Sequence, residues 1–441
     1  MSGALAAGLG FLALFLLLAA RIPIGVAMML VGGLGYAAVG GWPPLLNTLK
    51  STPFDLFANY SFSVVPLFLL MGEFASRAGM SRALFRAASV WLGHRRGGVA
   101  MAAIGACAGF GAICGSSLAT AATMGRVALP EMRRFGYSGA LATGTLAAGG
   151  TLGILVPPSL VLVIYAILAE QNIAKLFAAA LLPGVLAAAG YMLAIALHVR
   201  LVPEAGPRGA AADAAARRRS LIEIWPVVSI FLLVIGGIYA GLFTPTEGAA
   251  VGAFGVGLLA FTHGGLRLAG FLEVLLSTAR ATAMIFLIVL GATLFNIFLA
   301  LTRTPQMLTE AVAASGLAPL AILALMLLLY FLLGCVMDSL SMILLTVPIF
   351  VPVVTTLDFG LSGEEALIWF GIIALVTVEV GLITPPVGLN VFVINALAEG
   401  VPMRETFRGV LPFLISDFLR ILLLVAFPSL SLALVRILFP G

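Results

Sequence analysis

The residues with chemical potential in this sequence are mostly breakers of helices, not acids, bases or nucleophiles. Gly149-Gly150-Thr151-Leu152-Gly153 precedes Pro157, Pro158 and Ser159 in the middle of an apolar stretch, 139–170. Gly381, Thr384, Pro385, Pro386, Gly388 and Asn390 recur in the middle of a second stretch, 367–398. Proline removes a backbone donor and clashes with the preceding turn, so two adjacent prolines beside glycines predict a helix unwound at membrane depth. The released N–H and C=O groups must find partners or line a polar cavity. Half-helix N-termini suit a carboxylate, and unwound carbonyls suit Na⁺, a hard cation that prefers oxygen ligands. The chemistry expected from such residues is binding and release.

Two further places belong with these breaks. In 97–129, Cys114-Gly115-Ser116-Ser117 is followed by only 12 residues, Leu118–Leu129, before Pro130. At about 1.5 Å per residue that arm spans roughly 18 Å, short of the roughly 30 Å hydrocarbon core. A re-entrant hairpin opening to the cytoplasm is expected, its tip at Gly115-Ser116-Ser117. The matching stretch 318–356 has its tip near Met337-Asp338-Ser339 and is expected to open to the periplasm. Neutral hydrogen-bonding groups at these four places are Ser116, Ser117, Ser159, Ser339, Thr384 and Asn390. Ionisable groups are few. A lone carboxylate at depth is costly unless paired or bound to a cation, so Asp338 reads as a Na⁺ ligand or a helix cap. Glu379 could orient the second break or hold a proton. Asp417 and Arg420, spaced i, i+3, read as a structural ion pair.

The elements that position these residues must be membrane helices. Of 441 residues, 62% are hydrophobic and 9% charged, against about 25% charged in a soluble domain; mean hydropathy is +1.19. A soluble protein of this length could not hide so much apolar surface. That excludes a soluble enzyme, a nucleic-acid binder and a disordered chain. Cys107, Cys114 and Cys335 include no CxxC pair, and His94, His198 and His263 lie far apart, so no disulfide, metal centre or cofactor is expected. No HExxH, GxSxG or paired membrane aspartates point to an enzyme.

Candidate crossings are 3–20, 22–41, 57–75, 139–170, 176–200, 224–243, 247–263, 278–300, 367–398 and 409–437. The N-terminus lacks a basic region and a cleavage site, so 3–20 reads as a retained first span. With a periplasmic N-terminus, the cytoplasmic side receives Arg21, the clusters at 77–96, 126–134 and 200–219, and then Arg267, Arg280, Arg404 and Arg408. The periplasmic side receives only Lys50, Lys175, Arg303 and Arg436. The positive-inside rule favours this orientation. Residues 201–222 read as a flexible cytoplasmic linker. The side of the C-terminus stays open, because 409–437 contains Pro428 and could cross once or twice.

The two halves echo each other. Gly153-Ile154-Leu155-Val156-Pro157-Pro158 matches Gly381-Leu382-Ile383-Thr384-Pro385-Pro386, Phe177–Pro183 matches Phe407–Pro412, and Pro23-Ile24-Gly25 resembles Pro245-Thr246-Glu247-Gly248. The first half holds an odd number of crossings, so the second runs inverted, as in secondary transporters. The expected fold is an all-α polytopic membrane protein, an inverted-topology repeat with two re-entrant helical hairpins and two broken helices. Its expected parts are scaffold (1–96), hairpin and broken helix (97–200), linker (201–222), scaffold (223–317), and second hairpin, broken helix and C-terminal helix (318–441).

These motifs resemble those of the large membrane subunit of TRAP (tripartite ATP-independent periplasmic) transporters, the DctM-like family. The carrying residues are Gly111–Ser117, Gly136-Tyr137, Gly150–Ser159, Met337-Asp338 and Glu379–Asn390. The resemblance covers nearly the whole chain; Cys114 departs from it, standing where the family more often has a small residue such as serine. It implies an elevator-type ion-transporter fold in the bacterial inner membrane, with Na⁺-driven uptake of an organic acid such as a C4-dicarboxylate or sialic acid. It implies a periplasmic substrate-binding protein and a small four-helix membrane subunit as partners; a first half starting at residue 3 makes that subunit a separate chain. Carried over by position, Ser116, Ser117 and Gly153 would form one Na⁺ region and Asp338, Ser339 and Gly381 the other. Ser116, Ser117, Ser159, Thr384 and Asn390 would contact substrate. A stand-alone Na⁺/divalent-anion symporter of related fold is the alternative, with a channel or intramembrane enzyme more remote.

Overall fold

A computed structural model describes residues 3–440, with no strand among them. The first half opens with α1 (Gly3–Ala19), α2 (Ile24–Gly40), α3 (Trp42–Phe57), α4 (Val64–Arg77) and α5 (Met80–Leu92). A hairpin follows, α6 (Gly98–Cys114) and α7 (Ser117–Arg134), then a broken helix, α8 (Gly139–Leu155) and α9 (Leu160–Leu168), bent by 44°, and then α10 (Ile173–Leu201). The second half opens with α11 (Ala214–Tyr239), α12 (Pro245–Thr262), α13 (Leu268–Leu301) and α14 (Thr304–Ala314). Its hairpin is α15 (Pro319–Gly334) and α16 (Ser339–Val354), its broken helix α17 (Gly363–Gly381) and α18 (Leu389–Leu397), and α19 (Met403–Ala426) and α20 (Ser429–Leu438) close the chain. Among the described residues four helices, α10, α11, α13 and α19, are individually long and apolar enough to cross a bilayer.

Several single prolines leave their helices continuous. Pro183, Pro226, Pro348, Pro352 and Pro412 all lie inside continuous helices. Within the two stretches 139–170 and 367–398 the breaks fall at Pro157-Pro158 and Pro385-Pro386, and the single Pro428 falls between α19 and α20. Pro130 lies inside α7, which continues to Arg134. The short return arm expected before Pro130 is therefore incorrect: its apolar part ends there, but the helix runs on through Glu131, Arg133 and Arg134.

Inversion of the repeat is visible in how helices pair. A Cβ on Gly25 would meet Ile288, one on Gly32 would meet Phe295, and one on Gly35 would meet Phe298. Both numbers rise together, so α2 runs parallel to α13. Gly252 lies against Met71, Gly257 against Phe74 and Gly264 against Ala78, so α12 and α4 are parallel too. The echo at Pro23 and Pro245 makes α2 and α12 equivalent. An equivalent helix from each half thus packs parallel on a later helix of the other half. Up-and-down chains give this only if one half is turned over.

Interhelical ion pairs agree with the assigned sides. Arg77–Glu273 and Arg86–Glu223 join residues assigned to one surface, and Lys175–Glu364 and Arg436–Glu365 join residues assigned to the other. At roughly 15 Å, the 10 residues of α20 are too short to cross again. The stretch 409–437 therefore crosses once, leaving Arg436 beside the N-terminus of α17.

Two expectations need correcting. Helices α3, α5 and α14 occupy segments read as connections, because each is too short or too polar to register as a span. Linker residues 201–222 are not a free tether: α10 runs into them, α11 begins at Ala214, and the remainder is pinned. The Gly97 N–H donates to Gly206 O (2.9 Å), the Gly209 N–H to Gly93 O (2.9 Å) and the Ser138 N–H to Ala205 O (3.0 Å).

The parallel helices α8 and α19 meet at Gly144 and Gly409, where a Cβ on Gly409 would collide with the Ala140 carbonyl. Gly409→Ala should cost about 1–3 kcal/mol by overpacking. Gly33→Ala on α2, where nothing lies within 4 Å, should be neutral or slightly stabilising. Thermal unfolding midpoints in detergent should fall for the first and not for the second.

Candidate functional site

Four helices begin at the two hairpin tips and the two helix breaks, and each leaves unpaired N–H groups at its start. Three are capped by their own side chains. Ser116 caps α7 (from Ala119 N, 3.4 Å), Ser159 caps α9 (from Leu162 N, 3.4 Å) and Asp338 caps α16 (from Ser341 N, 3.1 Å). The fourth, α18, starts at Gly388 in the left-handed region (φ +63°) with no side-chain cap; the Asn390 N–H donates to Leu382 O across the break (3.1 Å). The Pro157-Pro158 and Pro385-Pro386 bonds are cis.

Glycines let the hairpins press against the broken helices. A Cβ on Gly111 of α6 would lie 2.6 Å from Gly153 Cα, and one on Gly381 would lie 2.6 Å from Gly334 Cα on α15. The two contacts occupy matching places in the two halves. At the first hairpin tip, Gly115 (φ +63°) abuts the Pro158 carbonyl, with 3.2 Å to a built Cβ. The first break is buried at Pro157 and Pro158, whereas Pro385 and Pro386 at the second are exposed.

Oxygen atoms collect around α8. A Cβ on Gly153 would sit 2.5 Å from Thr120 Oγ1 and 2.6 Å from the Ser116 carbonyl. One on Gly150 would sit 3.1 Å from Asn390 Nδ2 and 3.2 Å from the Ser117 carbonyl. Asn390 Nδ2 donates to Ala147 O (3.3 Å). Thr120 Oγ1 and Asn390 Oδ1 are buried and have no hydrogen-bond partner. A buried, unpaired acceptor is unfavourable unless something occupies it, and carbonyl and hydroxyl oxygens are the donor set of a hard cation.

The two tips share a carboxylate. Glu379, fully buried on α17, accepts from Ser339 Oγ (2.7 Å) at Oε1 and from Ser117 Oγ at Oε2. Behind it lies a second buried network. Arg420 Nη2 is 2.8 Å from Asp417 Oδ1, Tyr191 Oη donates to Asp417 Oδ2 (2.8 Å), and Thr151 Oγ1 lies 3.0 Å from Tyr191 Oη. The Arg420 guanidinium also lies over the Tyr191 ring at 5.8 Å. The expected Asp417–Arg420 pair is thus present, and it is tied to the glycine-rich run of α8.

The structure gathers Ser116, Ser117, Gly153 and Asn390 at the first tip, and Ser339 and Gly381 at the second hairpin and its broken helix. Asp338 caps α16 and accepts from the Ser341 hydroxyl. Ser159 is buried at the first break. Thr384 is half-buried at the second and donates to Val380 O (2.7 Å). Sequence reasoning missed Thr120 and Tyr191. Thr120 stands one turn after the Ser116 cap, on the same face. Tyr191 is a phenol inside an apolar span, which needs a partner for its hydroxyl.

Residues 11–430 match the family model described as "Tripartite ATP-independent periplasmic transporter, DctM component". The chain is 37% identical over 395 residues to a C4-dicarboxylate TRAP transporter large permease protein of Pseudomonas aeruginosa, covering 89% of this chain and 90% of that one. It is 34% identical to a sialic acid TRAP transporter large permease protein of Vibrio cholerae, covering 85% and 86%. Its fold is similar to the crystal structure of the YdaH transporter of Alcanivorax borkumensis, with a TM-score of 0.62 at 16% identity, covering 89% of this chain and 90% of that one.

Arg420→Leu leaves the Asp417 carboxylate buried without its partner and should destabilise the protein by about 3–5 kcal/mol. Adding Asp417→Leu should recover much of that loss. Unfolding midpoints of the two single variants and the double variant give the coupling; additive losses would show that the pair does not act as a unit.

Proposed function

The chain belongs to the DctM family of tripartite ATP-independent periplasmic transporters, and from that premise we propose that it couples Na⁺ entry to uptake of an organic acid across the bacterial inner membrane. The observation that carries this reading is the matched pair of broken helices, each pressed through a glycine against a hairpin, with buried oxygens left unpaired beside one of them. A soluble periplasmic binding protein would deliver the acid, and a small four-helix membrane subunit would brace the scaffold.

Ser116 O, Thr120 Oγ1 and the backbone near Gly153 supply one set of Na⁺ ligands, with Ser117 beside them. Asp338, Ser339 and Gly381 supply the second region. The substrate carboxylate sits at the uncapped start of α18, between Thr384 and Asn390, with Ser116, Ser117 and Ser159 across from it. An uncapped helix N-terminus favours an anion, and the exposure of Pro385 and Pro386 supports access from one side. The relatives named above carry a C4-dicarboxylate and a sialic acid, both carboxylates, which supports that substrate class.

Transport proceeds by an elevator movement. Residues 97–200 and 318–441 would slide against a scaffold of 1–96 and 223–317; the parallel pairs α2/α13 and α4/α12, drawn from both halves, support such a scaffold. The inequality of the two breaks, one buried and one open, supports an end state of alternating access.

Reconstituted uptake tests the reading. Transport should require a Na⁺ gradient and the binding protein; uptake without the binding protein would instead identify a stand-alone symporter. Asp338→Ala should raise the Na⁺ concentration for half-maximal uptake roughly tenfold through loss of the cap and carboxylate, with normal membrane insertion. Unchanged Na⁺ dependence would remove Asp338 from the site. A cysteine from Ser116→Cys should be labelled from the cytoplasm in the inward-facing state. Labelling only from the periplasm would overturn the periplasmic N-terminus.

A further inference from the structure

We propose that Glu379 is a positioning residue that clasps the two hairpin tips together, so that the two ion regions are occupied cooperatively. The part concerning ions rests on the Na⁺-coupled reading above; the clasp itself does not.

Ser117 and Ser339 hold equivalent places in the two halves. Each is the first helical residue after a capping side chain, Ser116 in one hairpin and Asp338 in the other. Their hydroxyls donate to opposite oxygens of a single carboxylate, Glu379, which is fully buried. Among the described residues no Lys, Arg or His lies within ion-pair distance of it, and the Arg420 guanidinium is held by Asp417.

Position matters as much as chemistry. Glu379 stands two residues before Gly381, and Thr151 stands two residues before Gly153. The repeat makes these positions equivalent, yet Thr151 turns to Tyr191 and to Ala148 O (2.7 Å). One half supplies the clasp for both. When ionised, a carboxylate only accepts, so in that form Glu379 commits the protons of both serines inward and leaves their oxygen lone pairs free for a cation. A hydroxyl or amide at 379 would not impose that orientation on both. Through Ser117 and Ser339 the shared carboxyl group is one hydrogen bond removed from each ion region. A cation ordering one tip therefore orders the other through Glu379 and lowers the conformational cost of binding there.

The test uses the full chain in lipid nanodiscs. Hydrogen exchange is read for peptides spanning the two tips, and Na⁺ binding is read with radioactive sodium. Ser117→Ala should raise exchange at its own tip and also at residues 335–341; Ser339→Ala should do the same at residues 112–118. The expected rise is roughly three- to tenfold, the factor for one lost hydrogen bond. The Ser117→Ala/Ser339→Ala double variant should equal Glu379→Ala, and Na⁺ binding, cooperative in the parent, should become non-cooperative in all of them. If Glu379→Ala does not fold, the two serine variants carry the test alone. Effects confined to each variant's own tip overturn the clasp, even with cooperative Na⁺ binding intact. Cross-effects between tips in a chain that binds no Na⁺ support the clasp and overturn the ion coupling.

Discussion

A lipid environment offers no hydrogen bonds, so every backbone group freed at membrane depth must be answered by the protein itself. This constraint organises the molecule. Breaking α8–α9 and α17–α18 and turning two hairpins inside the bilayer exposes several N–H and C=O groups at once. Ser116, Ser159 and Asp338 answer three of the four helix starts. The start of α18 has no such answer. Carbonyls of Ser116 and Ser117 crowd towards glycines at 153 and 150, where any side chain would displace them. The unwound places are thus also the places where a ligand completes the hydrogen bonding that water would provide elsewhere.

Charge follows the same economy. With so few ionisable groups at depth, each is embedded in a specific arrangement. Asp417 has both Arg420 and Tyr191, and the guanidinium lies over the phenol ring. Asp338 satisfies backbone and hydroxyl donors of Ser341. Glu379 takes one serine from each hairpin. Each carboxylate joins elements far apart in sequence or fixes a helix start, so the polar groups are fasteners as well as candidate ligands.

Much of this was legible beforehand because it depends on local residue chemistry. Gly153 with Pro157-Pro158, and Gly381 with Pro385-Pro386, mark breaks through steric effects confined to a few residues. The tips at Ser116 and Asp338 are legible for the same reason: both are good cap residues between apolar runs. What escaped depends on tertiary contact. Helix α5 is recognised by burying Met80 and Phe85, not by its length or hydropathy. Pinning of the linker to Gly93, Gly97 and Ser138 uses backbone groups, which leave no trace in residue type. Thr120 gains significance only because Gly153 faces it. Pro130 misled, since a proline whose lost hydrogen bond falls near a polar surface ends the apolar arm without ending the helix.

The exchange of helices between halves has a consequence for how the chain is made. The glycine face of α2, at Gly25 and Gly32, is covered by α13, which lies far downstream. While the ribosome is still producing the first half, that face has only lipid or α1 against it. Folding half by half, the usual order for a growing chain, would leave this face without its final partner. The packing of α2 is completed only once α13, which ends at Leu301, has been made.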